Sequence, residues 1–121
     1  MNNLVLIIDD DSRNIFALRL VLKARGYAVI SANNVPEGLR LIAENPQVSV
    51  VLMDMMIPEM DGYTAIRMIR EQASFAEMPI IAVTAQAMSG DREKCIAAGA
   101  NGYVSKPVDI DKLVAVIEKV C

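Results

Sequence analysis

The sequence predicts an α/β protein: a doubly wound, five-stranded parallel sheet with five helices. Three observations predict it. Short apolar runs alternate with helix-patterned stretches five times along the chain, and that repetition builds parallel sheets covered on both faces. The runs are short and mostly apolar without helical spacing, as in strands buried on both sides. Several of them end abruptly in a polar residue beside a turn, Val48-Ser49-Val50-Val51-Leu52-Met53-Asp54 most clearly.

The first run, Leu4 to Ile8, leads into Asp9-Asp10-Asp11. Ser12 can cap the next helix, with Asp11 favouring its positive N-terminus. Ile15, Leu18 and Leu22 mark the apolar face of that helix, and Gly26 ends it. Tyr27 to Ser31 reads as strand two. Asn34 and Glu37 have capping-box spacing, and Pro36 is tolerated in a first turn. Helix two carries Leu39, Leu41, Ile42 and Ala43 until Asn45-Pro46 stops it. Val48 to Asp54 is strand three, followed by a loop from Met55 to Gly62 with turn residues at Pro58 and Asp61. Helix three turns Ala65, Ile66 and Ile69 inward and Arg67, Arg70 and Glu71 outward. Pro79 to Val83 is strand four, ending in Thr84-Ala85. Ser89 or Gly90 starts helix four and Gly99 closes it. Gly102 to Ser105 is a short fifth strand ending in Lys106-Pro107. Asp109 caps the last helix, where Ile110, Leu113, Val114 and Ile117 keep i, i+3, i+4, i+7 spacing.

A chain of 121 residues with 54% hydrophobic content suits a single domain with one core, residues 1–121. Its net charge of −3 argues against direct nucleic-acid binding, which needs a basic face. The apolar runs are too short to span a bilayer and no signal-peptide pattern opens the chain, so no membrane partner and a cytoplasmic location are expected. Cys95 and Cys121 match no metal spacing and read as free thiols. Histidine is absent. That removes Ser-His-Asp triads, Cys-His nucleophiles and the usual zinc sites.

Right-handed crossovers put the carboxyl ends of all five strands on one edge. Four strands end in polar residues that packing does not require: Asp9 and Asp10, Asp54, Thr84 and Lys106. They converge if the strands follow the flavodoxin-like order 2-1-3-4-5. Each has a plainer reading taken alone. Asp11 fits a helix N-terminus, Asp54 a buried acid bonded to its loop, Thr84 a turn hydroxyl and Lys106 a solvated cation. Tyr103 reads as a core or edge aromatic, and Met55, Met56 and Met60 as loop packing. The joint pattern is what points to a site. Three close carboxylates repel and raise at least one pKa. Lys106 offsets part of that charge, and a divalent cation offsets more. An all-oxygen site suits Mg²⁺ or Mn²⁺, and Mg²⁺ commonly completes its shell with a phosphate oxygen. The best available nucleophile is then a carboxylate, and aspartyl phosphate is an established covalent intermediate. Thr84 and a backbone N–H near Ala85 can help neutralise the phosphoryl oxygens.

Together Ile7-Ile8-Asp9-Asp10, Met53-Asp54-Met55-Met56-Ile57-Pro58-Glu59-Met60-Asp61-Gly62, Val83-Thr84-Ala85 and Ser105-Lys106-Pro107 resemble the receiver domain of bacterial two-component response regulators, from Leu4 to about Val120. The stretch Val83 to Cys95, with Asp11-Ser12-Arg13-Asn14, is similar to receivers of hybrid sensor kinases and phosphorelays. The resemblance implies a phosphoacceptor at Asp54. It implies Mg²⁺ held by Asp9, Asp10, Asp54 and the Met56 carbonyl, with Thr84, Lys106 and the Ala85 N–H on the phosphoryl group. It also implies a cis Lys106-Pro107 bond, switch residues Thr84 and Tyr103, and a signalling face on helix four, strand five and helix five, about residues 86–121. Met56 and Gln86 fall where the family tunes phosphate lifetime. The implied partners are a histidine kinase or histidine phosphotransfer protein as donor and a downstream protein target. The implied role is a signalling switch, not a metabolic enzyme. No DNA-binding or catalytic output domain is read in the chain.

Two other classes share some of these features. Asp9-Asp10-Asp11 offers the Asp-x-Asp of a small Mg²⁺-dependent phosphohydrolase, but Arg13 stands where the haloacid-dehalogenase pattern wants Thr or Val. A flavin or nucleotide binder lacks its phosphate loop after strand one.

Overall fold

The apolar runs become strands and the amphipathic stretches become helices in the computed structural model, which describes residues 4–57, 61–85 and 90–121. In chain order these are β1 (Leu4–Ile8), α1 (Ser12–Ala24), β2 (Ala28–Ala32), α2 (Val35–Glu44), β3 (Val48–Asp54), α3 (Gly62–Glu71), β4 (Ile80–Thr84), α4 (Asp91–Ala98), β5 (Gly102–Ser105) and α5 (Ile110–Val120). The five strands pair in the order β2-β1-β3-β4-β5, and every pairing is parallel. This is the flavodoxin-like arrangement the sequence predicted. Pro58, Met60, Gln86 and Ser89 lie outside the described residues.

Side-chain alternation splits the core in two. Val5, Ile7, Val50, Leu52, Ile81 and Val83 face α1 and α5, meeting Ile15, Leu18, Leu22, Leu113 and Ile117. Leu6, Ile8, Val51, Met53, Ile80 and Ala82 face the other helices, meeting Ile42, Ile66, Ile69, Cys95 and Ala98. The central strands β3 and β4 are therefore buried on both faces, apart from a half-buried Ser49 near the start of β3. Both cysteines are free, Cys95 buried and Cys121 exposed.

The helix ends follow local chemistry. Asn34 accepts a hydrogen bond from the Glu37 N–H, and Asp109 accepts from Asp111 and Lys112. Asp61 caps α3 by accepting from Thr64. Gly62 then lets the β3–α3 loop fold close: a Cβ there would lie 2.4 Å from the Met55 sulfur.

Four expectations shift. Asp11, not Ser12, caps α1: its carboxylate accepts from Arg13 N while its backbone stays extended. β2 runs one residue later than expected because Leu4 to Ile8 pair with Ala28 to Ala32. β4 also starts and ends one residue later. Pro79 has no N–H to give, and Thr84 is held in the ladder opposite Ser105. Arg70 does not point away from the protein. Its guanidinium donates to the carbonyls of Gly99 (2.9 Å), Phe75 (3.1 Å) and Met78 (2.6 Å) and to Asn101 Oδ1 (2.6 Å). Asn101 Oδ1 also accepts from the Ile80 N–H at 2.9 Å. A 3₁₀ turn over Ala73–Phe75, not foreseen in the sequence, supplies one of those carbonyls.

Arg70→Met keeps the apolar stem and removes the donors, leaving several partly buried carbonyls unpaired. Urea unfolding is expected to show a loss of about 2–3 kcal/mol.

Candidate functional site

Parallel pairing delivers the polar strand ends to one place. Asp9 follows β1, Asp54 ends β3, Thr84 ends β4 and Lys106 follows β5. Asp9, Asp54 and Thr84 are buried, with relative exposures of 2%, 4% and 2%, whereas Asp10 is exposed. One carboxylate oxygen each from Asp9, Asp10 and Asp54 lies within 4.8 Å of the others. Lys106 Nζ reaches into this group, 3.3 Å from Asp54 Oδ1 and 3.9 Å from Asp9 Oδ2.

Backbone and neighbouring side chains fix the acids. Asp54 Oδ1 accepts from the Met56 N–H at 3.0 Å. Asp9 Oδ1 accepts from the Asp11 N–H at 2.9 Å, and Asp9 Oδ2 accepts from the Asn14 side-chain amide. The Lys106 N–H donates to the Thr84 carbonyl at 2.7 Å, tying the ends of β4 and β5 together. The Lys106-Pro107 bond is cis, as the resemblance implied. Ala85 is exposed just past Thr84. Met55 is buried, while the Met56 side chain is 43% exposed. Tyr103 is half-buried on β5.

Burial raises the Asp54 pKa above its ordinary value, and the charge of Asp9 adds to the rise. The Met56 N–H and Lys106 oppose it. Among the described residues, three carboxylates thus face one close cation, Lys106. An all-oxygen donor set with this excess fits a hard divalent cation.

The response regulator receiver domain family matches residues 5–118. The chain belongs to that family. It is 32% identical over 114 residues to the polar-differentiation response regulator DivK of Brucella anthropi, covering 94% of this chain and 92% of DivK. A putative response regulator from Chloroflexus aurantiacus superposes with a TM-score of 0.91 at 32% identity, covering 99% of this chain and 98% of that one. The receiver domain of the sensor histidine kinase PA1611 from Pseudomonas aeruginosa superposes at 0.85 with 34% identity, covering 98% and 97%. That structure has a magnesium ion coordinated in its active-site cleft. Receiver domains belong to two-component signalling and bind Mg²⁺ through an acidic pocket. They are signalling proteins, generally not classed as enzymes, and work with histidine kinases or phosphotransfer proteins and downstream targets. The phosphohydrolase alternative finds no support among these relatives. Among the described residues, no helix of this receiver domain is long and apolar enough to cross a membrane.

Three residues near the site escaped the sequence reading as individuals. Asn14, named only as part of the stretch Asp11-Ser12-Arg13-Asn14, bonds to Asp9. Tyr63 and Asp91 bond to each other across 28 residues of sequence. All three lie in or beside the quoted motifs, Asn14 within Asp11-Ser12-Arg13-Asn14, Tyr63 next to Asp61-Gly62 and Asp91 within Val83 to Cys95, but spacing alone does not pair them.

Asp54 has a raised folded pKa, so its protonated form favours folding and its ionised form costs stability as pH rises. In EDTA at pH 7, Asp54→Asn is expected to stabilise the protein by about 1 kcal/mol. The gain should shrink as pH falls towards 4 and the wild-type carboxyl protonates. Urea melts at both pH values check this, and an unchanged or lower stability at pH 7 would contradict it.

Proposed function

We propose that this receiver domain is a phosphoacceptor switch, with Asp54 as the acceptor. The observation that carries the reading is the gathering of the buried Asp54 carboxylate with those of Asp9 and Asp10 and with Lys106 at the carboxyl ends of the strands. A partner's phosphohistidine supplies the phosphoryl group, since this chain has no histidine. The P–N bond breaks as a P–O bond to Asp54 forms, and the imidazole keeps or regains its proton.

Asp9, Asp10, Asp54 and the Met56 carbonyl would hold Mg²⁺, or Mn²⁺ in its place. Such a cation supplies charge neutralisation for the incoming phosphoryl oxygens. Lys106, already 3.3 Å from Asp54, contacts a second oxygen. Thr84 and the Ala85 N–H take the third. Movement of Thr84 and Tyr103 then biases the α4–β5–α5 face, which a downstream protein reads. The whole chain acts as one receiver unit in this scheme, at a cytoplasmic location.

Incubation with Mg²⁺ and acetyl phosphate should add one phosphoryl group to the wild type by intact mass. The adduct should be stable in acid and labile in base. Asp54→Asn or EDTA should abolish it; an adduct that persists in Asp54→Asn would overturn the assignment.

The apolar Met56 side chain cannot orient an attacking water, so hydrolysis is expected to be slow to moderate. Met56→Asn should shorten the phosphoryl lifetime, followed by intact mass after donor removal. An unchanged lifetime would show that Met56 has no such role.

A further inference from the structure

The start of α4 holds a buried carboxylate that phosphoryl transfer does not use. Asp91 is 7% exposed. Its Oδ1 accepts a hydrogen bond from the Tyr63 phenol, and its Oδ2 accepts one from the Tyr103 phenol at 3.0 Å. An acid in a helix's first turn is ordinarily explained by the dipole, which asks for nothing more than proximity. Here both oxygens are instead spent on side chains from two other elements, α3 and β5.

Each of those three elements is close in sequence to a site residue. Tyr63 stands nine residues beyond Asp54, Asp91 seven beyond Thr84, and Tyr103 three before Lys106. One carboxylate therefore fastens together the continuations of β3 and β4 and the body of β5. The carboxylate is buried while both phenols are half-buried. Cys95, one turn along α4, is fully buried, and burial followed by the charge of Asp91 pushes its thiol up to about 11. The bond to Asp91 lifts Tyr63 to about 12; burial and then Asp91 lift Tyr103 to about 12. Both phenols remain donors at neutral pH. If one phenol leaves, a buried carboxylate oxygen loses its partner, which is costly. The two hydrogen bonds should rearrange together rather than one at a time.

We propose that Asp91 is a positioning residue that yokes Tyr63 to Tyr103, so that the state of Asp54 is reported on the α3 side of the molecule as well as at β5. The proposal rests on the phosphoacceptor reading for its trigger, but the yoke itself does not.

The chain has three tyrosines, so 3-fluorotyrosine labelling gives three ¹⁹F resonances, assigned by single Tyr→Phe variants. Tyr27 packs with the core on the opposite face of the sheet and serves as the reference. On addition of Mg²⁺ and acetyl phosphate, Tyr63 and Tyr103 should shift with the same time course as the mass gain, and Tyr27 should stay. In Asp91→Ala the mass gain should persist while Tyr63 no longer follows Tyr103. A Tyr63 resonance that still follows in Asp91→Ala, or one that never moves in phosphorylated wild type, overturns the proposal. Asp91→Asn, which keeps one acceptor oxygen and the side-chain shape, replaces the alanine variant if that does not fold. Absence of any mass gain would refute the phosphoacceptor reading instead. The yoke is then decided by urea unfolding. Tyr63→Phe and Tyr103→Phe should each lower the folding equilibrium constant about tenfold in the wild type and hardly at all in Asp91→Ala. Equal losses in both backgrounds would overturn it.

Discussion

Parallel strand pairing is the constraint on which everything else here depends. A parallel ladder with right-handed crossovers sends every strand's carboxyl end to one edge. The order β2-β1-β3-β4-β5 then makes β1, β3, β4 and β5 neighbours. Residues scattered from position 9 to position 106 of the sequence become a single group because of this. The two-layer helical cover buries that sheet on both faces, so the polar ends have nowhere to go except the rim. A register slip of one residue would exchange the two halves of the core and carry Asp54 away from Lys106.

The group so formed is electrostatically unsatisfied. Asp9 and Asp54 are buried beside Asp10, and Lys106 is the cation among them. Most charged groups placed this deep acquire equal and opposite partners. Here the protein holds the imbalance in place with backbone N–H groups from Asp11 and Met56 and with Asn14. The donor set left by that imbalance is the kind that suits a hard cation. That donor set is the physical content of receiver-domain chemistry in this chain.

The fold and the centre of the site were legible because each left a pattern in the sequence. Apolar runs such as Leu4–Ile8 and Val48–Asp54 mark strands by length, and a polar residue closing such a run has no packing reason to be there. Helix caps at Asn34 and Asp109 were legible from spacing. What stayed hidden was carried by single long-range side-chain contacts. Arg70 occupies an outward position by helical periodicity, yet its stem is long enough to turn back to Gly99 and Met78. Tyr63, Asp91 and Tyr103 meet from three elements with no shared period. Ser12 and Asp11 were equally good caps by type, and only backbone geometry chose Asp11.

The bracket of Arg70 and Asn101 has a mechanical meaning. It grips the entry of β4, through the Ile80 N–H, and the segment leading into β5, at the end of the sheet remote from Asp54. Thr84 and Lys106 sit at the other end of the same two strands, joined to each other by one backbone bond. The pair resembles a cantilever clamped at its root. A displacement at the tip would meet its firmest resistance at that anchored end, leaving the ends beside the acids freer to adjust.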